Sequence, residues 1–356
     1  MTKATKKSAS VDRAFGEDSR LELLQEYFSG SGPVTPANAW VHVYRLLLWT
    51  DRTTGLAHCY ESDKAQPGRP WYGRSLAFHD WLAKTLNAAP HKIGEDIDWL
   101  FRRCTERLAV IAARHQERRA PIAAAQRKAF DGRNLPEPGE DPIFETMIRE
   151  ELGSWLAAEP PPDALRRLAQ RIQTYFRLEN KRKNLVGEGF EDVLAAIVQR
   201  LPESSALQVH ARPLLHSLPG FRPPPGVEKP RKVDVAVIRP DQRRILVSAK
   251  WSVRADREEQ FGVDFDAYAR LEDLGRDFDF VLVSNEFDAA RIAAACDRRR
   301  QNAFLFNAVV HVNPAGPIAA YGTTGRGSAN RLPEHIQSGR LISLEQWLER
   351  LTTPRS

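Results

Sequence analysis

Residues 232–257 read KVDVAVIRPDQRRILVSAKWSVRADR. The first run, 232–238, has a period of two. Asp234, Ala236 and Ile238 fall on one side of an extended chain, and Val233, Val235 and Val237 fall on the other. RPDQ (239–242) has turn chemistry. RRILVSAK (243–250) then returns, with Leu246, Ser248 and Lys250 sharing a side. Two such runs about a short turn predict a β-hairpin. Pairing across the turn brings Asp234 close to Ala249 and Lys250. A carboxylate and an ammonium then stand at the open end of two mostly apolar strands.

Outward from the hairpin, LQVHA (207–211), DFDFVLV (277–283) and FNAVVHV (306–312) read as further strands. FEDVLAAIVQRL (190–201), DAARIAAAC (288–296) and SLEQWLERL (343–351) read as helices. Strands interleaved with helices predict an α/β fold, a mixed β-sheet flanked by helices. The first half of the chain has helical spacing instead, over 18–28, 37–49, 73–86, 94–119, 143–155 and 163–179. In 94–119, Ile97, Leu100, Phe101, Cys104, Leu108 and Ile111 recur at three- and four-residue steps. EPPPDA (159–164) is a Pro-rich joint with an N-cap signal at Asp163. The expected organisation is a disordered basic tail over 1–17, an all-helical N-terminal domain over 18–179 and an α/β domain over 180–356.

The chain has 356 residues, 42% hydrophobic and 28% charged, as globular proteins do. No apolar run is long enough to cross a bilayer, so no membrane partner is expected. The opening MTKATKKSAS is basic with no apolar segment behind it, unlike a secretory signal. Cys59, Cys104 and Cys296 lie far apart with no CxxC pair. That supports neither a zinc site nor a disulfide framework and points to a reducing cytoplasm. The net charge of +6 suits a polyanionic partner, though many proteins carry as much for solubility.

Chemistry gathers around the hairpin. Glu191 stands at the start of helix 190–201, where a carboxylate suits the helix dipole. Asp256, Glu258, Glu259, Asp264 and Asp266 follow Lys250, and carboxylates at a sheet edge are ligands for a hard divalent cation. Arg254-x-Asp256-Arg257 is a donor–acceptor–donor set, with an arginine fork for guanine and a carboxylate for cytosine N4. Each feature alone has a plainer reading: a solvated cross-strand ion pair, a first-turn acid, a surface Arg–Asp pair.

Together, Glu191, Asp234 and Ser248-Ala249-Lys250 resemble the PD-(D/E)xK nuclease core: a helix acid, a strand Asp, then x-Lys ending the next strand. Ser248 occupies the place of the usual acid before x-Lys. In that respect, and in KWSVRADR (250–257), the chain resembles the CCGG-recognising type II restriction endonucleases. Those enzymes have Ser-x-Lys, a relocated acid on the following helix, and Lys-Trp-x-x-Arg-x-Asp-Arg. Fourteen residues after Lys250, at the place of the relocated acid, stands Asp264, with Asp266 and Glu259 as alternatives. The resemblance covers roughly 180–315 and leaves the helical half unexplained.

The resemblance implies a restriction-endonuclease-like catalytic domain over 180–356 and Mg²⁺-dependent, sequence-specific hydrolysis of double-stranded DNA. Asp234, the Ala249 carbonyl and Asp264 would ligate the metal. Lys250 would position the attacking water and stabilise charge. Glu191 would serve a second cation or a water of the first, and Ser248 would fill space or make a supporting hydrogen bond. Arg254, Asp256 and Arg257 would read G·C pairs in the major groove. A homodimer or homotetramer would read a palindrome built on CCGG, or on CC and GG with a spacer. The basic run 179–184 and the Arg-rich helix 102–119 are candidates for phosphate contacts. A repair or junction-resolving nuclease on the same core, or a non-catalytic DNA-binding protein with a decayed site, are the alternative functions. Elsewhere, SNEFDAAR (284–291) reads as structural, with Asn285 and Asp288 starting a helix. Trp251 reads as packing, and His210, His216 and His311 lack metal-ligand spacing.

Overall fold

The computed structural model describes residues 13–61, 63–133, 141–156, 158, 161–202, 204–253, 258–273, 278–300, 302–322 and 331–353. The expected basic tail lies outside these up to residue 12, as do Arg254, Asp256 and Arg257. The chain forms two compact units: Met1–Phe15 with Thr105–Leu185, and Gly16–Cys104 with Val186–Ser356. Residues 16–104, which the sequence groups with the rest of the helical half, therefore share a unit with the sheet.

That unit opens with helices α1 (Glu17–Gly30), α2 (Ala39–Leu47), α3 (Pro70–Thr85) and the short α4 (Ile93–Asp96). The single helix expected over 94–119 is broken: Asp98 has φ of +61°, and α5 (Trp99–Arg127) starts after it. A residue in the left-handed region ends a helical run. Beyond α5 come α6 (Pro142–Leu152) and α7 (Pro162–Arg200). Asp141 caps α6 by accepting from the Phe144 amide at 3.1 Å.

Helix α7 merges the two helices expected over 163–179 and 190–201. The stretch between them holds a polar run at 179–184 and glycines at 187 and 189, but no proline lies between 163 and 200. Each glycine costs only ~1 kcal/mol of helix propensity. Burial of Val186, Phe190, Val193, Leu194 and Ile197, spaced i, i+4, i+7, i+8 and i+11, outweighs that.

The sheet has six strands in the order β1 (Gln208–Ala211), β2 (Val235–Ile238), β3 (Arg244–Lys250), β4 (Asp279–Ser284), β7 (Ala308–His311), β8 (Leu341–Ser343). β1, β2 and β3 pair antiparallel; β3, β4, β7 and β8 pair parallel. The fold is thus a mixed sheet flanked by helices. The intervening helices are α8 (Glu258–Leu271), α9 (Ala289–Asp297), α10 (Ala315–Tyr321) and α11 (Arg331–Gln337), with α12 (Leu344–Thr352) at the end. A separate ribbon joins β5 (Arg299–Arg300) to β6 (Ala303–Phe304). Leu246, Phe280, Leu282, Phe306 and Val309 lie in the core beside Tyr268 and Leu271 of α8 and Ile292 of α9. Among the described residues, no helix is long and apolar enough to cross a membrane.

The hairpin turn uses local chemistry. Arg239 and Arg243 pair through the backbone at 2.9 Å, the Arg243 amide donates to Asp241 Oδ1 at 3.0 Å, and Gln242 takes φ of +63°. Strand β2 starts three residues later than its sequence pattern. Lys232 and Val233 pair instead with Leu214 and Pro213, which leaves Asp234 just outside the ladder.

Candidate active site

Val235 lies opposite Val247 in the hairpin register, so the chain places Asp234 beside the end of β3. Asp234 Oδ2 accepts from the Ala249 amide at 2.9 Å and from Lys250 Nζ at 2.6 Å. The Asp234 carbonyl accepts from the Arg212 amide at 2.8 Å, which ties the residue to the end of β1. β3 is buried from Arg244 to Ala249 and emerges at Lys250. An apolar central strand thereby delivers an ammonium, 39% exposed, to the carboxyl end of the parallel ladder. Ligands of open α/β sheets bind outside that end of the strands. Ser248, two residues inside, is buried opposite Leu282 of β4.

Glu191 reaches the same place from α7, but not as the sequence suggested. It lies in the last third of a 39-residue helix, far from the amino end, so the helix dipole does not favour its charge. Arg212 holds it instead, with Nη1 3.2 Å from Glu191 Oε2. The same guanidinium meets Asp192 Oδ1 at 2.5 Å and Glu17 Oε1 at 2.9 Å. Asp192 is buried, and its other oxygen accepts from Arg20 Nε at 2.6 Å. Arg212, in the left-handed region at φ +51°, was not read from the sequence. Nothing local marks an arginine after a strand as the partner of two helix acids 20 and 21 residues earlier.

Burial, and then the charge of Asp234, push the Glu191 carboxyl up to about 7 against an opposing pull from Arg212 and Lys250. In EDTA this carboxyl, ordinarily near 4.5, keeps its proton in the folded state over a range where the unfolded chain loses it. Stability is therefore expected to fall as pH rises from about 4.5 to 7, by up to ~1.4 kcal/mol per pH unit, and to level off above. Glu191→Gln should flatten that slope in urea titrations at several pH values. An unchanged slope would rule out Glu191 as the source.

Asp264 faces the site from α8. Its carboxyl accepts from Gln260 Nε2 at 2.7 Å and lies 3.8 Å from Arg231 Nη1. Burial raises its pKa, and the charges of both Lys250 and Asp234 act on it. Asp266 is two residues on, roughly 200° around the helix, and forms a two-bond ion pair with Arg300. Glu259 is exposed.

The segment after Lys250 is pinned by a group the sequence did not suggest. Glu286, 2% exposed, accepts from the Val253 amide at 2.7 Å through Oε2, and from the Phe287 and Asp288 amides at 2.9 and 2.8 Å through Oε1. The Asn285 amide donates to the Trp251 carbonyl at 3.1 Å. His311 supports Glu286 in turn. Its Nδ1 accepts from the Asn313 amide at 3.0 Å, so Nε2 carries the proton and donates to the Glu286 carbonyl at 2.8 Å. Burial lowers the His311 pKa to about 4, which keeps the ring neutral. SNEFDAAR therefore does more than start a helix. Asp288 does cap α9, accepting from the Ala290 and Arg291 amides, but Asn285 Oδ1 accepts from Tyr44 OH at 3.0 Å instead. Trp251 packs edge-on against Phe190, ring centroids 5.5 Å apart.

No family model matches the chain, and no curated protein matches it. One similar solved structure is a restriction endonuclease PspGI–substrate DNA complex. The two share 12% identity over 79% of this chain and 91% of that chain, with a TM-score of 0.34.

The oxygens of Asp234, Glu191 and Asp264 suit a hard divalent cation in kind. Burial first, and the Asp234 charge after it, raise the pKa values of Glu191 and Asp264. Among the described residues, no three acidic, histidine or cysteine side chains converge tightly enough to cage an ion. Lys250 stands against Asp234 instead.

Proposed function

We propose that this protein is a Mg²⁺-dependent, sequence-specific deoxyribonuclease of the type II restriction class. The observation that carries the reading is the Asp234 carboxylate holding the Ala249 amide and the Lys250 ammonium at the end of a buried strand, with acids approaching from α7 and α8.

Asp234, Asp264 and the Ala249 carbonyl would hold Mg²⁺. The cation would supply Lewis-acid stabilisation of phosphoryl charge and a lower pKa for the attacking water. Lys250 would orient that water by hydrogen bonding and stabilise negative charge developing on the phosphate. Glu191, held by Arg212, would accept a hydrogen bond from water in the site or serve a second cation. Ser248 would fill the space beneath. In the hydrolysis, water oxygen bonds to phosphorus as one ester oxygen leaves and takes up a proton.

Base reading would fall to Arg254, Asp256 and Arg257, directly after the segment that Glu286 pins. Two arginines for guanine and one aspartate for cytosine suit a half-site of G·C pairs, at roughly 1–3 kcal/mol per wrong base. A twofold assembly would then read CCGG, or CC and GG around a spacer.

The test is digestion of a sequenced plasmid with Mg²⁺ and with EDTA. Discrete fragments ending at CCGG-type sites, absent in EDTA, are the expected result. A Mg²⁺-dependent smear would keep the nuclease and refute the base readers. No cleavage of methylated or unmethylated DNA would refute the enzyme and leave a binding protein.

A further inference from the structure

One guanidinium, that of Arg212, is shared between two neighbouring acids of α7 that face different surroundings. Nη2 lies 2.5 Å from Asp192 Oδ1, and Nη1 lies 3.2 Å from Glu191 Oε2. Asp192 is 1% exposed and belongs to the interior. Glu191 stands within the electrostatic reach of Asp234 and Lys250. The shorter contact goes to the buried acid, where a charged hydrogen bond is strongest. With Asp192 as its only competitor, Arg212 would close on that carboxylate with both prongs, the pairing that a guanidinium and a carboxylate favour.

Arg20 of α1 stands in the way of that closure. Its Nε takes the other oxygen, Asp192 Oδ2, at 2.6 Å, and its Nη1 reaches Glu188 Oε2, one turn earlier on α7, at 2.8 Å. Arg20 is itself 3% exposed. With Oδ2 taken, Arg212 has Oδ1 for one prong, and the other prong falls to Glu191. Glu17, also on α1, steadies the first prong from Oε1 at 2.9 Å, and the Glu188 carbonyl accepts from the second at 3.3 Å.

The backbone of Arg212 serves the same end. Its φ of +51° is a conformation that a residue with a side chain keeps only where its surroundings hold it, and such residues cluster at functional sites. In that conformation the Arg212 amide donates to the Asp234 carbonyl at 2.8 Å while the side chain holds Glu191. One residue thus fixes the strand acid and the helix acid relative to each other.

We propose that Arg212 is a positioning residue that holds Glu191 at the Asp234–Lys250 site, and that Arg20 of α1, acting through Asp192, keeps the second prong of Arg212 free for it. The catalytic consequence rests on the nuclease reading; the hold itself does not. Lysine at 212 would keep the charge but offers no planar fork to span two carboxylates.

The test has two arms. The first is urea unfolding at pH 8 of wild type, Arg20→Gln, Glu191→Gln and the double variant. The effect of Glu191→Gln on the unfolding equilibrium constant should change roughly fivefold or more when Arg20 is replaced, beyond what independent sites show. In an Arg212→Lys background that coupling should vanish. A smaller coupling, or one that persists with lysine at 212, overturns the proposal. Should Arg20→Gln not fold, Arg212→Lys with Glu191→Gln gives the same cycle directly, with the same fivefold threshold. The second arm is plasmid cleavage in Mg²⁺. Arg212→Lys and Arg20→Gln should each lower kcat roughly 10- to 100-fold with KM unchanged, as misplacement of a reacting group does. In Glu191→Gln neither should have a further effect, which a merely structural role would not produce. Wild-type kcat in either variant, or an equal loss in Glu191→Gln, overturns the proposal. A wild type that cuts no DNA refutes the nuclease reading, whereas the urea cycle still confirms or overturns the hold on Glu191.

Discussion

Asp234→Asn is expected to cut the DNA cleavage rate by roughly 10²–10³-fold, the range for losing one group that stabilises transition-state charge. Lys250→Ala should do the same, and the double variant should be little worse than either, because groups that act as a unit are not additive. Stability should barely move. The Lys250–Asp234 contact is short at 2.6 Å, but both side chains reach solvent, at 39% and 23% exposure. Such a pair is worth only ~0–1 kcal/mol to the fold. Initial rates on supercoiled plasmid, with urea midpoints on the same preparations, separate the two effects. Wild-type cleavage by either variant would remove the pair from the chemistry. A large loss of stability would make it a structural contact.

Glu286→Ala should do the reverse and destabilise the fold by ~3–5 kcal/mol. Three backbone amides, of Val253, Phe287 and Asp288, lose their acceptor at once. Each buried donor left unpaired costs ~1–3 kcal/mol, and the vacated space adds to that. Glu286→Gln keeps one carbonyl oxygen and should cost about half as much, ~2 kcal/mol. Hydrogen exchange gives a local check: the Val253 amide should lose protection in both variants before the β3 amides do. A loss under ~1 kcal/mol in Glu286→Ala would mean that solvent replaces the carboxylate and that the segment after Lys250 is not held by it.

The two experiments probe different kinds of information. The Asp234–Lys250 juxtaposition was legible because it needs only a period of two, a turn sequence and a short return, all within 19 residues. Asp288 as the cap of α9 was legible for the same reason, since capping is local. Glu286 was not, because its partner Val253 lies 33 residues away and its own neighbourhood suggests only a helix start. Arg212 and Asp192 were not legible either. Their network ties α1 to α7 across 172 residues through Arg20, and no periodicity encodes that distance.

Alternation and turn chemistry in the sequence alone determined the hairpin, the α/β class and the meeting of Asp234 with Lys250. The tertiary structure decided that α7 runs unbroken past its two glycines, that Glu191 is held by Arg212 and not by a helix start, and that residues 16–104 share a unit with the sheet. The physical reason is range. Backbone preference and side-chain period act over one or two turns or strands, whereas burial of apolar faces and pairing of buried charges are settled only between segments the fold brings together.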